Sequence, residues 1–300
     1  MMISKLPKAE RLCLGTVQFG MHYGINNAIG RKPYHEECFL ILKKAIEMGI
    51  TSFDTAASYG NAESILGEFG IGNYGVNVIS KFVAKPDFSD EDVKIEINKS
   101  LRHIGMSSIY GYMLHCPSDV DRMDLIYGLK EAKHEGIIQH IGVSVYTPEE
   151  AIHVIENDFI DILQIPYNIF DRRWDKLDIF SIARKKNIKI YARSVFLQGL
   201  LLMEAKRLPG KLSQLKSPLN LFQNICKKYG YAPYEAALLY AVSNTRIHKI
   251  VFGVDTVEQL VRNISVLGKF KDFGECYSVL RRNFWDIPAR FIMPNLWNLE

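Results

Sequence analysis

The spacing of apolar and polar residues changes repeatedly along this chain. Short apolar runs rich in β-branched residues, typical of buried strands, alternate with longer segments whose apolar residues recur every three or four positions, typical of amphipathic helices. Two helix starts are marked, because Ser89 precedes Asp92 by three residues and Thr147 is followed by Pro148. Eight runs are predicted as strands, at residues 11–16, 51–55, 76–81, 110–115, 137–144, 161–166, 188–193 and 248–253.

Eight strands, each followed by a helical segment, is the count of a (β/α)8 TIM barrel. An open, doubly wound sheet is the alternative for such a repeat. The nearly uniform repeat, the lack of a G-x-G-x-x-G motif after the first strand, and the polar residues just beyond strand ends favour the closed barrel. We therefore predict a single α/β domain over residues 1–300, with an aromatic-rich tail, residues 270–300, packed on the barrel.

Composition argues against a disulfide-rich protein and against a metal-binding protein. The chain is 48% hydrophobic and 23% charged, as expected of an ordinary globular protein. Its five cysteines are odd in number and widely spaced, which indicates reduced thiols rather than a disulfide framework or a zinc site. The histidines lack the spacing of metal ligands, so we predict no metal.

Charge and hydropathy bear on partners and location. A net charge of +4, from basic residues scattered along the chain, is too mild to indicate nucleic-acid binding. No apolar run approaches the roughly 18 residues of a membrane helix, and the first residues lack the apolar core of a signal peptide. We expect a soluble, cytoplasmic protein without a nucleic-acid or membrane partner.

Candidate catalytic residues lie where predicted strands end, which is where TIM barrels carry their active sites. The second strand contributes Asp54 near its end and Tyr59 in the loop after it, while the third and fourth strands end in Lys81 and His115. Buried charges are costly unless they are paired, and neighbouring strands would bring Asp54 and Lys81 within range of a salt bridge.

These four residues suit general acid catalysis. A lysine ammonium about 4 Å from a phenol attracts the phenolate by roughly 4 kcal/mol at an effective dielectric of about 20, which lowers the pKa of the phenol against the effect of burial. We therefore predict Tyr59 as the proton donor, Lys81 and Asp54 as the pair that tunes it, and His115 as the residue that orients the substrate oxygen.

The segments that carry these residues resemble the aldo-keto reductase family. F-D-T-A-A-S-Y-G (53–60), I-S-K-F (79–82) and Y-M-L-H-C-P (112–117) are similar to its Asp–Tyr–Lys–His tetrad, and the likeness extends over nearly the whole chain. The resemblance implies a nicotinamide cofactor held across the barrel mouth. The residues that it implies as cofactor contacts are Gly15, Thr16, Val17, Ser144, Gln164, Arg193, Ser194, Val195, Phe196, Gly199, Gly253, Val254, Gln259 and Asn263.

Two departures from the family pattern concern the cofactor. Val145 stands where the family usually has an asparagine that bonds the carboxamide. The segment that usually offers a cation to the adenosine 2′-phosphate contains Asp255 instead, which suits a free 2′-hydroxyl, although Arg262 follows on the same segment. NADP(H) is the family default, and NAD(H) is the alternative.

The resemblance implies NAD(P)H-dependent reduction of a small aldehyde or ketone to an alcohol. The short loop 116–121 suggests an open mouth for a polar ligand such as a sugar or sugar-nucleotide carbonyl. Two alternatives stay open: a Schiff-base lyase that uses Lys81, and a regulatory subunit that binds nicotinamide without turnover.

Overall fold

The computed structural model of this chain describes residues 8–297, so both ends of the predicted domain, residues 1–7 and 298–300, lie outside the described residues. Its eight parallel strands form a closed barrel in the order β1 to β8, each strand paired with its neighbours along the chain and β8 with β1. All eight predicted strands, and the TIM-barrel fold class, are confirmed. The strands are β1 Leu12–Gly15, β2 Ser52–Asp54, β3 Asn77–Phe82, β4 Ile109–Leu114, β5 Ile138–Ser144, β6 Ile162–Pro166, β7 Lys189–Arg193 and β8 Lys249–Phe252.

Helices connect successive strands along the outside of the barrel. In the described part of the chain these are α1 Val17–Gly20, α2 His35–Glu47, α3 Ala62–Phe69, α4 Asp90–Ile104, α5 Met123–His134, α6 Pro148–Ile155, α7 Arg173–Lys176, α8 Ile179–Lys185, α9 Lys216–Lys228, α10 Pro233–Ser243, α11 Val257–Ser265, α12 Gly274–Arg282 and α13 Ala289–Ile292. None of the helices between residues 8 and 297 is long and apolar enough to cross a membrane.

The helix α4 shows how local sequence sets these boundaries. Ser89 and Asp92 form a reciprocal capping box at its start, as predicted, and Gly105 ends it in a left-handed conformation with φ 70°. Between these caps, Val93, Ile97 and residues one turn apart from them are buried against the barrel. The helix therefore begins and ends where its backbone groups find partners, and its apolar stripe fixes its orientation.

Two hydrophobic layers hold the barrel together. A small cluster fills the interior of the barrel, formed by Cys13, Ile79, Met113, Ile162, Tyr191 and Val251. A much larger layer lies between the outer faces of the strands and the helices. Side chains alternate between the two faces of a strand. A residue two positions after an interior residue therefore also faces the interior, one layer nearer the barrel mouth.

The tail after α11 packs near the loop that follows β6. Phe284 lies 5.1 Å from Phe170, ring centre to ring centre. The buried guanidinium of Arg172 donates to the carbonyl oxygens of Arg281 and Asn283 and stacks 3.4 Å from the ring of Trp285. The tail is thereby joined to the end of the barrel where the strands terminate.

Candidate active site

The register of β2 and β3 brings Asp54 and Lys81 together. Asp54 pairs with Ile79, and Ile79 points into the barrel interior. Lys81 is two residues further along β3, so its side chain lies on the same face and one layer nearer the mouth. Its ammonium is 2.9 Å from each carboxylate oxygen of Asp54, and both side chains are buried.

The Lys81 ammonium has a full set of acceptors. Besides the two oxygens of Asp54, it donates to the carbonyl oxygen of Thr55 at 2.7 Å. Burial disfavours its charge, but Asp54 and Tyr59 outweigh this effect, and the pKa of Lys81 is raised. Lys81 is therefore held as a cation, with each of its three N–H groups assigned.

Tyr59 is positioned by the loop that follows β2. The backbone of this loop continues the ladder to β3, because Ala57 N–H donates to the carbonyl of Lys81 at 2.9 Å. Gly20, at the end of α1, lies against the Tyr59 carbonyl so closely that a Cβ on Gly20 would overlap it. These contacts place the Lys81 ammonium 5.2 Å from the centre of the Tyr59 ring.

Burial controls the acidity of Tyr59 in this structure. Burial raises the pKa of Tyr59, and the neighbouring Lys81 opposes that shift in the direction predicted from the sequence. Because the effect of burial is larger, Tyr59 is a protonated phenol at neutral pH. It therefore carries a proton that it could donate, and the cation beside it would favour the phenolate.

His115 lies across from Tyr59 as a neutral imidazole. The two rings meet edge to face with their centres 6.1 Å apart, and the hydroxyl of Ser58 lies 3.3 Å from Nδ1 of His115. Burial, together with the charges of Lys81 and Arg193, lowers the pKa of His115 to about 4. A neutral ring keeps one N–H with which it can donate to a substrate oxygen.

A cleft of about 990 Å³, including its part open to solvent, extends from Tyr59 and Asp54 across the ends of β7 and β8. Most residues implied as cofactor contacts line it, namely Gly15, Val17, Arg193, Ser194, Val195, Phe196, Gly199, Gly253, Gln259 and Asn263.

The other four implied contacts are buried and do not line this cleft: Thr16, Ser144, Gln164 and Val254. Two of them donate hydrogen bonds to Asp54, at the end of β2. Thr16 donates to the carbonyl of Asp54 at 3.2 Å, and Gln164 donates through Nε2 to the Asp54 carboxylate at 2.7 Å. In this structure both support Asp54, and their contact with a cofactor stays a prediction.

A segment that sequence reasoning missed crosses this cleft. The strap, residues 21–31, bonds to the loop after β7, where Ile25 N–H donates to the carbonyl of Gln198 at 3.0 Å. It also bonds to the loop after β8, where Asn27 Nδ2 and Ala28 N–H donate to the Asp255 carboxylate at 3.3 and 3.4 Å. The long interval between β1 and α2 could have indicated such a segment from the sequence, because long loops without regular structure often carry function.

Opposite charges mark the two ends of the cleft. Near Tyr59 lies Arg193, and at the far end lies Asp255, whose hydrogen-bond partners Asn27, Ala28 and Gln259 are all neutral. Arg262 also lines the far end, but its guanidinium lies over the ring of Tyr234 at 4.3 Å.

Unpartnered buried oxygens favour a bound amide or hydroxyl donor near the active site. Gln164 Oε1 and Gln18 Oε1 are buried and have no hydrogen-bond partner among residues 8–297, although the amide nitrogen of Gln164 is bonded. Buried polar atoms are rarely left unpaired in folded proteins. A carboxamide NH2 is the kind of donor that Gln164 Oε1 lacks, so the residues present fit a nicotinamide cofactor.

Comparison with known proteins supports the same interpretation. A sequence model of the Aldo/keto reductase family matches residues 11–274. The chain is 26% identical to an uncharacterized oxidoreductase of Bacillus subtilis (strain 168), over 75% of this chain and 80% of the relative. It is 25% identical to the NADH-specific methylglyoxal reductase of Escherichia coli (strain K12), over 86% and 90% of the two chains.

One more relative and one solved structure are also similar to this chain. The L-galactose dehydrogenase of Arabidopsis thaliana is 24% identical over 80% of each chain. An aldo-keto reductase of Bacillus halodurans, solved in its holo form, superposes with a TM-score of 0.71 at 19% identity over 90% of this chain and 91% of that one. At this identity, the similarity to the Bacillus halodurans structure shows the fold alone.

Proposed function

Because the chain belongs to the aldo/keto reductase family, an oxidoreductase family that uses nicotinamide cofactors, we propose that it reduces a small aldehyde or ketone to an alcohol with NAD(P)H. Sugar and sugar-nucleotide carbonyls, and 2-oxoaldehydes such as methylglyoxal, are the first substrates to test. The observation that carries the proposal is the protonated phenol of Tyr59 beside the Lys81–Asp54 pair at the mouth of the barrel.

When bound, the cofactor supplies hydride to the carbonyl carbon. Tyr59 supplies the proton to the carbonyl oxygen, and Lys81 stabilises the phenolate that this leaves. Asp54 keeps Lys81 charged, and Gln164 fixes Asp54. The neutral His115 ring donates a hydrogen bond that orients the substrate oxygen.

The residues that line the cleft would hold the cofactor. Gly15 and Val17 lie at the Tyr59 end, while Gly253, Gln259 and Asn263 lie with Asp255 at the other. The Gln164 amide oxygen offers an acceptor for the carboxamide.

A preference for NAD(H) over the family default of NADP(H) is part of the proposal. Within the described residues the hydrogen-bond partners of the Asp255 carboxylate are all neutral, so no cation is bonded to it. A 2′-phosphate brought to that end would be repelled, whereas a 2′-hydroxyl can donate a hydrogen bond.

The state of Lys81 argues against a Schiff-base lyase. Such an enzyme needs a neutral, nucleophilic amine. Lys81 instead has its three N–H groups donated to Asp54 and Thr55, and its pKa is raised. The alternative of a regulatory subunit is disfavoured because the four tetrad side chains lie together, with Lys81 bonded to Asp54 and the Tyr59 ring next to both Lys81 and His115.

The direct experiment is to follow the absorbance of NADH and NADPH with methylglyoxal and a panel of sugar and aromatic aldehydes. We expect turnover with wild-type protein, and a loss of at least two to three orders of magnitude in kcat for Tyr59→Phe, because a general acid contributes about 10²–10⁴-fold. The affinity of Tyr59→Phe for NADH, measured by fluorescence, should stay within about twofold.

The matched control is Tyr74→Phe, which removes the same hydroxyl from a residue that is 48% exposed on the turn before β3. Its kcat should equal that of wild type. Tight binding of NADH without turnover of any carbonyl would instead support the regulatory subunit.

A further inference from the structure

Arg193 lines the cleft together with Tyr59, and within residues 8–297 it has no acidic hydrogen-bond or ion-pair partner. Lys81 is neutralised by Asp54, and His115 is neutral. Arg193, at the end of β7, donates to the hydroxyl of Ser194 at 3.3 Å and to the carbonyl of Val145 at 3.2 Å. Its guanidinium also lies over the Tyr146 ring, 4.6 Å from the ring centre.

None of these partners of Arg193 carries a negative charge. The nearby acid Asp171 is already engaged by Arg173, which donates two hydrogen bonds of 2.8 Å to its carboxylate. Arg193 therefore projects a full positive charge into the cleft that it shares with Tyr59. Its effect on both Tyr59 and His115 is consistent with this closeness.

The position of Tyr59 limits where a hydride donor can lie. A carbonyl that takes a proton from Tyr59 must have its carbon about 3–3.5 Å from the donor atom. The cleft leads away from Tyr59 past Arg193, Ser194 and Val195. The nicotinamide ring must therefore occupy the end of the cleft on which the Arg193 charge acts.

The two redox states of the ring differ by one charge. The reduced dihydropyridine is neutral, and the oxidised pyridinium carries a positive charge. We propose that Arg193 makes this site selective for the redox state of its cofactor, because its unpaired guanidinium repels the oxidised ring and leaves the reduced ring unaffected. The inference rests on the proposed function and specifies how that site treats its cofactor.

The change in charge during the reaction determines which form of the cofactor Arg193 disfavours. When the carbonyl is reduced, two electrons leave the cofactor as hydride, the ring becomes cationic, and Tyr59 delivers the proton that completes the alcohol. The oxidised cofactor is then the form that Arg193 disfavours, so its release is promoted. By linkage, each tenfold weaker binding of the oxidised form raises the reduction potential of the bound two-electron couple by about 30 mV.

The test measures binding rather than turnover. Dissociation constants of NADH and NAD⁺ are determined by isothermal titration calorimetry for wild type, Arg193→Lys and Arg193→Met. We expect wild type to bind NADH at least about tenfold more tightly than NAD⁺. Arg193→Met should reduce this ratio about tenfold, chiefly by tightening NAD⁺ binding, whereas Arg193→Lys, which keeps the charge, should retain most of the ratio.

Arg262→Met is the matched control. It removes the same charge from the other end of the cleft, where the guanidinium lies over Tyr234. Both dissociation constants can change in this variant, but their ratio should not. If Arg193→Met fails to fold, Arg193→Gln replaces it, since glutamine can still donate to the Val145 carbonyl.

The outcomes separate this inference from the proposed function. An NADH/NAD⁺ ratio that is the same in wild type and Arg193→Met overturns the role of Arg193 and leaves the reductase proposal intact. A wild-type protein that binds neither NADH, NAD⁺, NADPH nor NADP⁺ overturns the proposed function itself.

Discussion

The Lys81 ammonium lies 2.9 Å from both carboxylate oxygens of Asp54, and the two side chains are only 1% and 5% exposed. Burying two charges costs free energy that their mutual attraction recovers only with good geometry. This pair has that geometry, with Thr55 and Gln164 as additional partners. Removing either partner would leave the other charge buried and unpaired, and in the proposed mechanism the pair holds a cation beside Tyr59.

Replacing Lys81 should cost stability as well as activity. Lys81→Met leaves Asp54 buried without its cation, and breaking such a pair destabilises a protein by about 3–5 kcal/mol. The free energy of unfolding from urea titration measures this. Lys43→Met, an exposed position on α2, should change it by less than about 0.5 kcal/mol. Equal stabilities for the two variants would contradict the buried pair.

His115 should make stability depend on pH on the acid side. Its pKa in the folded protein is about 4, below the value near 6.5 of an unfolded histidine. The unfolded chain thus takes up the proton first, so the contribution of His115 is complete above about pH 6.5 and is lost as the pH falls toward 4.

The measurement compares the free energy of unfolding at pH 7.5 and pH 4.5 in wild type and His115→Gln. Wild type should lose more stability than the variant, by on the order of 2 kcal/mol. His134→Gln, on the surface at the end of α5, should behave like wild type. Identical losses in all three proteins would show that His115 is not held neutral by burial.

Asp255 should set the preference between NADH and NADPH. Asp255→Asn keeps the shape of the side chain and removes the charge that repels a 2′-phosphate, so the affinity for NADPH relative to NADH should rise by about tenfold. Titration of both cofactors measures the ratio. Glu258→Gln removes the same charge from an exposed residue three positions further along and should leave the ratio unchanged. A wild type that already prefers NADPH would refute the NAD(H) proposal.

Gly199 should be required for the contact between the strap and the loop after β7. Its φ of 89° is strained for other residues, and a Cβ would lie 2.9 Å from the Cβ of Asn26. Gly199→Ala should lower the free energy of unfolding by about 1–3 kcal/mol. Gly210→Ala, whose Cβ would meet nothing within 4 Å and whose φ is ordinary, should be neutral or slightly stabilising. A neutral Gly199→Ala would mean that the strap adapts freely.

Much of the fold could be predicted from local pattern. Each of the eight strands was visible as a short apolar run, because a strand buried on both faces must be apolar nearly throughout. The capping boxes at Ser89 and Thr147 were also predictable, since the residues that satisfy the first turn of a helix are adjacent to it in sequence.

The strap across the cleft could not be predicted in this way. Its partners Gln198 and Asp255 lie more than 150 residues further along the chain, and the segment has no hydrophobic period. The acidity of Tyr59 was predictable only in part. The sequence indicated a cation beside the phenol, but the degree of burial, which raises the pKa, depends on how the loops pack.

By itself, the sequence determined the eight-strand repeat, the residues at the strand ends and the resemblance of their segments to one family, because these features depend on residues close together in the chain. Only the tertiary structure decided that Lys81 has its three N–H groups engaged, that the described partners of Arg193 are neutral, and that the strap reaches Asp255. Distances and burial between remote side chains set those properties, and they exist only once the barrel has closed.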